Sequence, residues 1–83
     1  MNDSPTYVAV TEIFRAVFRD DTMELRPGMT ASEVEGWDSF KQVEILLAVQ
    51  GRFAFKFSSR DIDRISCVGD LVNVIERRMA DIR

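Results

Sequence analysis

Residues 36–57 read GWDSFKQVEILLAVQGRFAFKF, and their reading decides the fold. Asp38 stands immediately before an apolar run. There a carboxylate accepts the free N–H groups of a first helical turn and meets the positive end of the helix dipole. From Ser39 to Phe53 the run carries Phe40, Val43, Ile45, Leu46, Leu47, Ala48, Val49 and Phe53. That set is too wide for one stripe, so the spacing predicts a central helix over 39–53 with neighbours on more than one side. Ala54–Phe57 leaves the helix. The alternating Phe53, Phe55 and Phe57 are expected to turn the chain and seal the base of a bundle rather than to form a strand.

Working upstream, helical periodicity is absent from Asp20 to Trp37. Asp20-Asp21 and Pro27-Gly28 are turn signals, and Leu25, Met29, Val34 and Trp37 are spaced as anchors for an ordered loop. Before it, Ser4-Pro5 suits a helix start, with serine as the cap and proline in the first turn. Val10, Ile13, Phe14 and Val17 follow the i, i+3, i+4, i+7 pattern, extended by Tyr7 and Phe18, with Glu12, Arg15 and Arg19 on the other side. Downstream, Ser58-Ser59 can cap a short helix through Ile62, with Asp63-Arg64 leading on. Ser66 can cap a last helix, in which Val68, Leu71, Val72 and Ile75 repeat the pattern and Met79 and Ile82 continue it. The sum is one all-α domain over residues 1–83, a bundle of three long helices and one short one with a long first loop.

Composition narrows the function. Eleven basic residues against fourteen acidic ones leave a net charge of −3, which argues against nucleic-acid binding because no basic face is available for phosphates. The absence of histidine and the single cysteine, Cys67, remove thiolate and imidazole metal sites and the Ser–His and Cys–His nucleophile pairs. No general base is paired with a nucleophile, so an enzyme is not expected. A lone thiol forms no internal disulfide and fits a reducing cytoplasm, with Cys67 a small buried hydrophobe. The opening MNDSPTYVAV lacks the basic stretch and apolar core of a signal peptide, and no apolar run approaches the ~20 residues that span a bilayer. The expectation is a cytoplasmic monomer without membrane insertion.

Ser39 is the residue to weigh. With Asp38 as the cap, Ser39 is the first helical residue and its hydroxyl faces solvent. A negative group attached there lies beside a helix N-terminus, so the position suits a serine that becomes a phosphodiester. Ser39 and Gln42 also fit the capping box S-x-x-Q, in which the serine is only a cap. Both readings stand on the residues alone.

Across about residues 5–80 the chain resembles the acyl carrier protein family. The resemblance rests on the long first loop, the Asp38-Ser39-Phe40 that opens the second helix, a short third helix, and Val68-Gly69-Asp70 near the start of the fourth. It implies a four-helix bundle of acyl-carrier type and a non-enzymatic role. It further implies that Ser39 receives 4′-phosphopantetheine from coenzyme A through a phosphopantetheinyl transferase, with Asp38 helping to present the serine. Acyl intermediates of fatty-acid, modified-lipid or polyketide biosynthesis would then travel on the arm as thioesters, between acyl-loading, elongating and acyl-transferring enzymes. An aminoacyl or peptidyl carrier shares these features, and a plain helical interaction module remains the rival of another class.

Two departures from the family pattern stand out. Phe40 replaces the usual leucine, at a position expected to pack. The second helix is strongly acidic in fatty-acid carriers, but here offers only Glu44 against Lys41 and Arg52, with other acids upstream at Glu33, Glu35 and Asp38. The Trp-Asp-Ser variant resembles dedicated rather than housekeeping carriers. Glu35, Phe40, Lys41 and Glu44 are the expected docking residues. Val43, Leu46, Leu47, Ile62, Leu71 and Ile75 are the candidates for an interior that shelters a chain. Arg77-Arg78 is expected to oppose the last helix dipole rather than to form a docking patch.

Overall fold

The computed structural model describes residues 4–82, with side-chain surroundings through residue 80. The order is α1 (Pro5–Phe18), a 3-10 turn at Ala31–Glu33, α2 (Ser39–Phe53), α3 (Ser59–Asp63) and α4 (Val68–Ile82), with no strand among the described residues. The fold is thus the expected four-helix bundle. The expectation for Ile82 lies outside the described side chains.

Each helix starts for a local reason. Ser4 Oγ accepts the Tyr7 amide and Pro5 occupies the first turn of α1. Ser58 and Asp61 close a reciprocal capping box on α3. The start of α4 differs from expectation. Ser66 does not cap it by accepting first-turn amides; its hydroxyl and amide both donate to the Asp70 carboxylate, at 2.7 and 3.1 Å. These bonds, the hydroxyl's first, hold the Asp70 carboxyl below the usual carboxylate range. The first-turn amides of α4 instead reach the long loop: Val68 N donates to Met29 O at 2.9 Å and Gly69 N to Pro27 O at 2.7 Å. A side chain at 69 would place its Cβ 2.9 Å from that Pro27 oxygen, so the close approach requires glycine.

Phe14, Ile45, Leu71, Ile75, Val10, Val49 and Val68 are fully buried at the centre. Leu25 and Met29 join them from the loop, and Val34 and Trp37 pack against them, which accounts for an ordered connection over residues 19–38. Phe53, Phe55 and Phe57 also pack on this core, and Gln50 Oε1 accepts the Phe57 amide as the chain turns out of α2. Cys67 is half-buried rather than buried.

α3 is held differently, since none of its residues is buried. Asp61 accepts the Ser58 amide and, from Arg78 of α4, bonds at 3.0 Å (Nε) and 2.6 Å (Nη2). The Ser58 amide and then Arg78 hold the Asp61 carboxyl below the usual range. Arg78 therefore joins α3 to α4; it neither opposes the dipole at the last turn nor stands free as a docking group.

The breadth of the apolar set on α2 has a different cause from the expected one. Ile45 and Val49 are its only fully buried residues, while Leu46 is half-buried. Val43, Leu47 and Ile62 are exposed, so only Leu71 and Ile75 of the six interior candidates are core residues. Phe40 does not pack, being 80% exposed. Clefts of about 290 and 310 Å³ flank Tyr7, and none of those six residues lines either one.

Candidate functional site

The site is the first turn of α2. Gly36, at φ +86°, turns the loop just ahead of Trp37, which packs on the core, and Asp38, which caps α2. Asp38 is extended, and its Oδ1 accepts the Lys41 amide at 3.0 Å while its carbonyl accepts the Gln42 amide. It is the cap, and Ser39 is the first helical residue. The capping-box alternative fails on both sides: Ser39 does not occupy the cap position, and Gln42 Oε1 accepts the indole N–H of Trp37 at 2.7 Å. Ser39 is exposed. Sequence reasoning missed the Trp37–Gln42 bond, although their spacing of five residues across a helix start was a usable signal.

At 100° per residue, Ser39, Val43, Leu47 and Phe40 fall within about a quarter-turn of each other. All four are exposed, so the serine opens an apolar stripe about two turns long. Ile45 and Val49 lie on the opposite side, in the core.

The expected docking residues divide. Phe40, Glu35 and Glu44 are exposed. Lys41 is turned back toward α1, where its Nζ donates to Val17 O at 3.2 Å, sits 5.9 Å from the Phe18 ring and pairs with Glu44 at 3.6 Å. Glu33 pairs with Arg26 at 3.1 Å. Two of the acids counted around the site are therefore locally compensated, and the free negative charge is smaller than a count along the chain gives.

Asp38, next to Ser39 in the chain, uses its Oδ1 to cap the helix, and among the described residues no side chain hydrogen-bonds the Ser39 hydroxyl. The arrangement presents an uncrowded hydroxyl at the positive end of a 15-residue helix. That suits a group modified by another protein, with the resulting negative charge favoured by the helix terminus.

No family model matches the chain. A curated protein of Schizosaccharomyces pombe (strain 972), "Putative acyl carrier protein, mitochondrial", is 30% identical over 57 residues, 69% of this chain and 51% of that protein. The chain thus spans about half the length of the relative it matches. Among solved structures it is similar to the solution NMR structure of the holo acyl carrier protein from Geobacter metallireducens. The TM-score is 0.88 at 29% identity, over 95% of this chain and 91% of that one.

Proposed function

Because the chain belongs to the acyl carrier protein family, we propose that it acts as a carrier rather than an enzyme, with a 4′-phosphopantetheine arm on Ser39. The observation that carries this reading is the exposed Ser39 in first helical position behind an Asp38 cap. The residues fit the group. An uncommitted hydroxyl offers the attachment oxygen, and the α2 N-terminus favours the phosphodiester charge. When bound, the arm supplies a terminal thiol on which an acyl group is held as a thioester. Asp38 fixes the turn and thereby the place of the Ser39 oxygen. Delivery then depends on tethering, which raises the local concentration of the cargo at each docked enzyme.

The partners are a phosphopantetheinyl transferase and acyl-loading, elongating or acyl-transferring enzymes. Any of them that reaches Ser39 must cover the stripe of Phe40, Val43 and Leu47, with Glu35 and Glu44 at its rim. Lys41, spent on Val17 and Glu44, drops out of the docking set. One local acid on α2, already paired, supports a dedicated carrier of modified-lipid or polyketide type over a housekeeping one. The name of the similar proteins favours acyl over aminoacyl cargo. A reducing compartment such as the cytoplasm belongs to the same proposal, since Cys67 has no second cysteine in this chain to pair with. Among the described residues no helix is long and apolar enough to cross a membrane.

Incubation with coenzyme A and a broad-specificity phosphopantetheinyl transferase, followed by intact-mass measurement, tests the reading. A carrier gains one phosphopantetheine, whereas a helical interaction module gains none.

A further inference from the structure

Helix starts are commonly fixed by an apolar staple, in which the residue before the cap packs on the fourth helical residue. Here those positions are Trp37 and Gln42, and the staple is polar, made by the indole N–H donating to Oε1 at 2.7 Å. The indole is also wedged against α1. Its ring meets Phe14 edge-on, with centroids 5.2 Å apart at 83°, and Phe18 at 6.4 Å and 71°. Lys41 adds a second tie by donating to Val17 O. Trp37, Lys41 and Gln42 thus fasten the turn that carries Ser39 to α1, and the serine itself remains exposed.

We infer that the Trp37–Gln42 hydrogen bond sets the pose in which Ser39 meets the transferase, making Gln42 a positioning residue for the modification. The inference rests on Ser39 being the attachment point. Without an acceptor on residue 42, the half-buried indole N–H loses its partner and Trp37 no longer locks the entry angle of α2. Ser39 then samples a wider range of positions, which lowers the rate of the bound step. Docking on Phe40, Val43 and Leu47 is unaffected.

The test uses the whole chain as parent, Gln42→Met (similar length, no acceptor) and Gln42→Glu (acceptor kept), with coenzyme A and one phosphopantetheinyl transferase. Trp37 is the only tryptophan, so its indole N–H resonance reports the hydrogen bond directly. In Gln42→Met the resonance moves, circular dichroism matches the parent, and kcat for loading falls about tenfold or more, as expected for a displaced reacting group. KM stays within about twofold on the same reasoning. Gln42→Glu restores both the resonance and kcat. A parent that gains no mass overturns the carrier reading and this inference with it. A parent that loads, with Gln42→Met loading at parental kcat, overturns this inference alone. So does an indole resonance that ignores the Met substitution, or a Glu variant that fails to restore kcat.

Discussion

The amide nitrogen of Gly69 lies 2.7 Å from the carbonyl oxygen of Pro27, so the long loop supplies an acceptor that the start of α4 would otherwise seek from a capping side chain. This contact explains the glycine of Val68-Gly69-Asp70. Gly69→Ala puts a methyl 2.9 Å from that oxygen and forces the loop off the helix. Unfolding stability should fall by about 1–3 kcal/mol despite the better helix propensity of alanine. A urea midpoint equal to the parent's would mean the loop moves aside at no cost.

Leu46 and Leu47 are neighbours on α2 with opposite roles. Leu46 packs against the core and Leu47 is 60% exposed. Leu46→Ala should cost about 2 kcal/mol, at the low end for a large-to-small change because the site is only half-buried. Leu47→Ala should stay within about 0.5 kcal/mol while raising the transferase KM. Thermal midpoints and loading kinetics of the two variants check both halves.

Much of the fold was legible because local chemistry and apolar period agree: Asp38 marks the start of α2, and Leu25, Met29, Val34 and Trp37 pin the loop as their spacing suggests. What was not legible is which apolar residues the chain itself covers. Phe40, Val43, Leu47 and Ile62 resemble core residues in sequence, since an apolar face left exposed and one kept for the interior use the same side chains. Arg78 was misread for a related reason. Its partner Asp61 lies 17 residues away, and only the packing of α3 on α4 brings them together.

Asp61 also predicts a pH dependence. Its folded pKa is depressed below the ordinary 3.8 by the Ser58 amide first and Arg78 next. A depressed carboxylate contributes stability that is fully present above the unfolded value and is lost as pH falls through the folded one. The stability difference between the parent and Asp61→Asn should therefore be flat from neutral pH down to about 5 and shrink below that. Chemical denaturation from pH 7 to pH 3 measures it. A difference that grew on acidification would contradict the assignment.

Tyr7 is 5% exposed, and among the described residues its hydroxyl has no hydrogen-bond partner; burial pushes its pKa up. An unpaired buried hydroxyl costs free energy that phenylalanine does not. Tyr7→Phe should raise stability by about 1 kcal/mol with an unchanged denaturant slope. A loss of similar size would show that the hydroxyl is satisfied in solution.

The most direct test of the central claim is the intact mass of the parent and of Ser39→Ala after incubation with coenzyme A and a phosphopantetheinyl transferase. Asp38, not Ser39, caps α2, so the alanine variant should stay folded with a parental circular-dichroism spectrum. The parent should gain a single phosphopantetheine and Ser39→Ala none. A parent that gains no mass, or a folded Ser39→Ala protein that gains the same increment, would contradict the assignment of Ser39 as the attachment point.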